Sequence, residues 1–104
     1  DESGVKVDAK SISEDTGEVA EVDPFTKAGR YYTSLQYDKA LDAYQEALRG
    51  KLDEYESAMA RFRIAKCYEK TGEPVKAKAA YKAYIKMHPR DKNVSEAKKR
   101  LAVL

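Results

Sequence analysis

The sequence has no tryptophan, one cysteine and one histidine in 104 residues. A lone Cys67 cannot form an intrachain disulfide, so the thiol count fits a reducing or an oxidising compartment equally. With His88 as the only imidazole, neither a three- or four-ligand metal site of usable spacing nor a convergent nucleophile and base has support, and no metal, cofactor or catalytic residue is assigned. Gly29 and Gly50 are isolated and build no phosphate-binding loop. Five glycines, three prolines and no Val/Ile/Thr alternation leave the short punctuated strands of a sandwich or barrel without support. No apolar run approaches the roughly 18 residues of a spanning helix. The first ten residues are too polar for a signal-peptide core, and a first residue of Asp is what a processed or excised chain would show.

What the sequence has is charge and helical patterning. Charged residues make up 37% and hydrophobic ones 42%, and the formal net charge is +2. Residues 1–23 carry eight acids against two lysines, whereas residues 58–104 carry thirteen basic residues against four acids. Residues 1–22 show no period that could bury a face and read as a disordered acidic tail or linker. The lysines at 76, 78, 82 and 86 alternate with Ala77, Tyr81 and Ile85, the pattern of a solvated helix face, which makes nucleic-acid binding the weak alternative.

Local signals predict five helices over 24–35, 37–49, 54–71, 74–87 and 94–104. Asp23-Pro24 is an N-cap followed by a proline at the first helical position. Thr71-Gly72-Glu73-Pro74 stops one helix and starts the next, while Ser34-Leu35-Gln36 lacks the equivalent glycine. Asp53 with Glu56 has capping-box spacing, and Asn93 with Glu96 repeats it. His88, before Pro89, is expected to be a partly exposed helix end, and Cys67 to be a packing residue. Tyr31–Leu48 aligns with Tyr68–Ile85 at a shift of 37 residues, placing Tyr31 on Tyr68, Ala40 on Ala77, Tyr44 on Tyr81 and Leu48 on Ile85. In each unit a small residue lets a neighbouring helix approach, and a tyrosine one turn later fills the groove beside it. The expected core is Ala28, Tyr31, Ala40, Leu41, Tyr44, Ala47, Leu48, Ile64, Ala65, Tyr68, Ala77, Tyr81, Ile85, Ala97 and Leu101.

These residues resemble the tetratricopeptide (TPR) repeat. Ile64, Ala65, Tyr68, Ala77, Tyr81 and Pro89 fit its signature in the second unit, where Arg61 and Tyr84 depart from it; Ala28, Tyr31, Ala40, Tyr44 and Ala47 fit it in the first. The wider spacing implies a longer loop near Lys51–Glu56. The segment from Lys76 to Leu101 is similar to the last repeats of bacterial periplasmic TPR proteins, of the Tol-Pal coordinator and outer-membrane assembly lipoprotein type, which implies a bacterial envelope setting.

The resemblance implies an all-α, right-handed TPR-type solenoid over residues 23–104, with repeats at 24–52 and 54–89 and a closing helix at 94–104. It further implies a non-catalytic scaffold whose concave groove binds a peptide or protein segment. Carried over by position, that groove presents Phe25, Gly29, Tyr32, Thr33, Met59, Phe62, Lys66, Glu69, Lys70 and Lys98, a set suited to a partner with apolar anchors and acidic groups. Phe25 and Phe62 read equally as groove or core. The co-chaperone clamp for acidic C-terminal peptides needs Lys and Asn where Phe25, Gly29 and Lys66 stand. The alternative function is a self-associating module, joined through an N-terminal hairpin whose outer end is expected to lack a polar cap.

Overall fold

Helix formation begins where the sequence supplies a cap. A computed structural model of the chain describes residues 22–104; the expected disordered tail, Val22 apart, lies outside the described residues. Asp23 stays extended at ψ 160°, and its carboxylate accepts the Thr26 amide at 2.9 Å and the Thr26 hydroxyl at 3.0 Å. Those bonds hold its carboxyl below the usual carboxylate range. Five helices follow: α1 Pro24–Thr33, α2 Tyr37–Leu48, α3 Glu54–Lys70, α4 Pro74–Met87 and α5 Val94–Val103. Among the described residues there is no strand.

The two tight turns are the same turn built from different residues. After α1, the Leu35 amide bonds the Tyr32 carbonyl at 3.0 Å and the Gln36 amide bonds the Tyr31 carbonyl at 2.9 Å. After α3, the Gly72 amide bonds Glu69 at 3.2 Å and the Glu73 amide bonds Tyr68 at 2.8 Å. Both are Schellman stops, which need one left-handed residue. Gly72 supplies it at φ 78°, and Leu35 is forced into it at φ 64°. The missing glycine therefore does not remove the turn; it puts an exposed leucine under strain, and α1 ends at Thr33 rather than residue 35.

Asp53 and Glu56 form the expected capping box, with the Glu56 amide 2.8 Å from Asp53 and the Asp53 amide 3.1 Å from Glu56. The connection ahead of α3 is thus confined to residues 49–53, and the expected longer loop does not extend to Glu56. The expectation for α5 is corrected more sharply. Asn93 makes no side-chain cap, and Glu96 instead reaches Lys66 of α3 at 2.7 Å. His88 is also corrected: it is 4% exposed, and its Nδ1 lies 2.7 Å from Glu54 Oε2, joining the end of α4 to the start of α3.

The core forms two clusters. One gathers Ala28, Ala40, Ala43, Tyr44, Ala60, Ile64 and Cys67 where α3 meets α1 and α2. The other gathers Ala58, Phe62, Ala65, Ala77, Tyr81, Tyr84, Val94 and Ala97 among α3, α4 and α5. Alanine at the contact positions lets helices approach closely, and Tyr44, Tyr81 and Tyr84 are the largest fully buried side chains beside them. Tyr31, Leu41, Leu48, Tyr68, Ile85 and Leu101 of the expected core are only partly buried, while Ala43, Ala58, Ala60, Tyr84 and Val94 join it unforeseen. Cys67 packs as expected, and burial pushes its thiol up to about 12.

Candidate functional site

The shift that aligns the two tyrosines also aligns Phe25 with Phe62, Tyr32 with Glu69 and Arg63 with Arg100. The structure brings each set together as one joint between neighbouring helices. In the second joint, Tyr81 is fully buried and donates its hydroxyl to Glu69 Oε1 at 2.7 Å. Arg100 of α5 clasps the same carboxylate, its Nε 3.1 Å from Oε2 and its Nη2 closing the second contact. The Arg100 hydrogen bonds hold the Glu69 carboxyl below the usual range.

In the first joint, Tyr44 is equally buried, but its hydroxyl accepts from Arg63 Nη1 at 2.7 Å. Where the second joint has the Glu69 carboxylate, this one has the Tyr32 ring, and the Arg63 guanidinium stacks 4.4 Å from its centroid. Among the described residues Arg63 holds no carboxylate. Gly29 lies beside it: a Cβ there would stand 3.8 Å from the Tyr44 hydroxyl and 4.0 Å from Arg63 Nη1. The backbone is thus bare next to a half-buried cation. Lys66 occupies the aligned place in the second joint and fills it, 2.7 Å from Glu96 and over the Phe62 ring.

The two phenylalanines separate in the same way. Phe25 meets Tyr44 edge-on at 6.0 Å, and Phe62 meets Tyr81 edge-on at 6.0 Å. Phe62 is also covered by Tyr84 at 5.3 Å and is 7% exposed, which places it in the core. Position 47, aligned with Tyr84, is alanine, so Phe25 keeps one side open. A cleft of about 250 Å³ results, lined by Phe25, Ala47, Gly50, Lys51, Leu52 and Glu56. It has room for one large side chain.

Of the residues expected to form a groove, the structure brings Phe25, Gly29 and Tyr32 together on α1 and adds Arg63 and Tyr44, which sequence reasoning missed. The signal was present, because Arg63 falls on Arg100 under the repeat shift. Lys66 and Glu69 are engaged by Glu96 and Arg100. The Thr33 hydroxyl bonds back to the carbonyls of Gly29 and Arg30. Met59 is half-buried, and Lys70 and Lys98 stand exposed without an ion-pair partner among the described residues.

The ends of the stack are polar. Ala60, Ile64 and Cys67 of α3 pack on the preceding hairpin; their counterparts on α1 are Asp23, Lys27 and Arg30. Ala58 and Phe62 pack beneath α4; their counterparts on α5 are Ser95 and Lys99. The expectation that the first hairpin lacks a polar cap is therefore corrected: pairing through that end would bury Lys27 and Arg30.

Residues 59–91, from within α3 through α4 to Asp91, match the model of the tetratricopeptide repeat family. No curated protein and no solved structure matches the chain. The match and the helical hairpins together make the fold a tetratricopeptide-type solenoid, and repeats of this kind are in general protein–protein interaction modules. Among the described residues no three metal-ligating side chains cluster, and no helix is long and apolar enough to cross a membrane.

Proposed function

We propose that the chain is a non-catalytic interaction scaffold and that the side of α1 facing α3 binds a segment of a partner protein. An apolar side chain of that segment enters the cleft beside Phe25, and a neighbouring carboxylate meets Arg63 over Gly29. One observation carries this reading: among the described residues Arg63 lacks a carboxylate where its repeat counterpart Arg100 holds Glu69. A half-buried guanidinium with most of its donors unused favours a planar anionic partner. The resemblance of the C-terminal repeats to periplasmic proteins makes envelope proteins the first source of partners to screen.

The test is an array of capped peptides in which an aromatic or leucine anchor lies next to Asp or Glu, with amide counterparts as controls. Arg63→Gln and Phe25→Ala should each weaken binding of the acidic peptides at least tenfold, with helicity retained. Equal binding of acidic and amide peptides would remove Arg63 from the site. Indifference to both substitutions would remove the cleft as well.

A further inference from the structure

The outward faces of α2 and α4 occupy equivalent places in the two hairpins, yet they carry opposite chemistry. On α2 the exposed stripe is Asp38, Asp42 and Glu46. The aligned positions on α4 are Val75, Ala79 and Ala83, all exposed, and α4 contains four lysines and no acidic residue. Among the described residues only Lys76 of these has an acidic neighbour, Glu73, at a loose 3.8 Å. Lys78, Lys82 and Lys86 recur one turn apart along a helix of 14 residues, and Val75 and Met87 project near its ends, 80% and 52% exposed. The fold does not require four lysines here: their counterparts in the first hairpin are Lys39, Leu41, Gln45 and Arg49, and α2 carries acids where α4 has Val75, Ala79 and Ala83.

From this contrast we propose that the α4 ridge is a peripheral docking surface for an anionic lipid bilayer. The buried face of α4 is committed to Ala77, Tyr81 and Tyr84, so the helix does not insert. It lies along the headgroups with its lysines on lipid phosphates and carboxylates. Three features favour a lipid surface over a nucleic acid or an acidic peptide. Lys78, Lys82 and Lys86 stand on the exposed face of a single helix, which meets a plane more readily than it encloses a strand. Its cations are all lysine, without the arginines and exposed aromatics that read bases. Exposed aliphatic side chains sit at both of its ends, where a headgroup layer accepts them.

The test is co-sedimentation of the full chain with vesicles of phosphatidylcholine alone and of phosphatidylcholine mixed with phosphatidylglycerol. Binding should appear only with the anionic lipid and fall steeply as salt rises. Replacing Lys78, Lys82 and Lys86 together by Gln should lower partitioning about a hundredfold, at about fivefold per lysine. Replacing Lys39, Arg49 and Lys51 of the first half by Gln is the control of equal charge and should change it far less. Circular dichroism checks that both variants stay helical, and the salt titration of the unaltered chain needs no variant. Absence of binding, equal binding to neutral vesicles, equal loss in both variants, or tighter binding to duplex RNA or DNA than to the vesicles would overturn the proposal.

Discussion

Tyr44 and Tyr81 sit at the centres of the two hairpin joints with the same burial and the same edge-on phenylalanine, and they part company at the next shell of contacts. The joint around Tyr81 is finished: Tyr84 covers the phenylalanine, and Glu69 binds the arginine. Around Tyr44 the same positions are Ala47 and Tyr32, so the phenylalanine has an open side and the arginine lies on a ring. A repeat can thus keep its load of buried aromatic area while one copy is closed and the other is left able to bind.

The sharpest way to break this comparison is to truncate the two phenylalanines. Phe62→Ala should cost about 3–5 kcal/mol of unfolding free energy, as for a fully packed ring. Phe25→Ala should cost less, about 1–2 kcal/mol, because the ring is only partly buried and has no counterpart of Tyr84 over it. Equal losses in denaturant titrations would mean that the cleft beside Phe25 is closed in solution.

Alkali probes the first cluster through Cys67. Its ordinary value is 9.0, and burial raises it to about 12. A raised value means that the folded state holds the proton longer, so the stability contributed is complete below about pH 9 and is lost as pH climbs from there toward 12. Unfolding midpoints should fall across that window, and less so in Cys67→Ala. At neutral pH the thiol should react with a disulfide reagent only at the rate of opening.

Glu69→Gln sharpens the difference between the two arginines. It should cost about 1 kcal/mol, the low end for a charge-assisted bond at a partly wetted site. The gap to the unaltered protein should be full above pH 4.5, the group's ordinary value, and close as pH falls through its lowered folded value. Salt should narrow the gap too. The smallest effect is at the turns: Leu35→Gly should gain about 0.5–1 kcal/mol, the relief of left-handed strain less the added freedom of the unfolded chain. Gly72→Ala should lose a comparable amount.

Much of this was legible in the sequence because its causes are local. Asp23, Pro24, the Asp53–Glu56 pair and Gly72-Glu73-Pro74 act within one turn of chain, and the helices start where those residues stand. The alanines and tyrosines at repeat spacing likewise marked the contact positions. What could not be read depends on residues far apart. Phe25 and Phe62 are alike in sequence, and only the residue facing each, Ala47 or Tyr84, makes one a cleft wall and the other core. His88 looked like a wet helix end because its partner, Glu54, lies at the start of another helix. Asn93 and Glu96 had the spacing of a cap, but Glu96 is bonded to Lys66, thirty residues away on another helix.

The charged outer faces of α1 and α5 bear on what would happen if several such modules were strung on one chain. The seam between the hairpins buries alanine, isoleucine, cysteine and tyrosine, whereas Lys27, Arg30 and Lys99 would have to lose water for two modules to stack. Concatenated copies should therefore hang as beads, each melting at the temperature of the single module, instead of fusing into one rod with a melting point that rises with length.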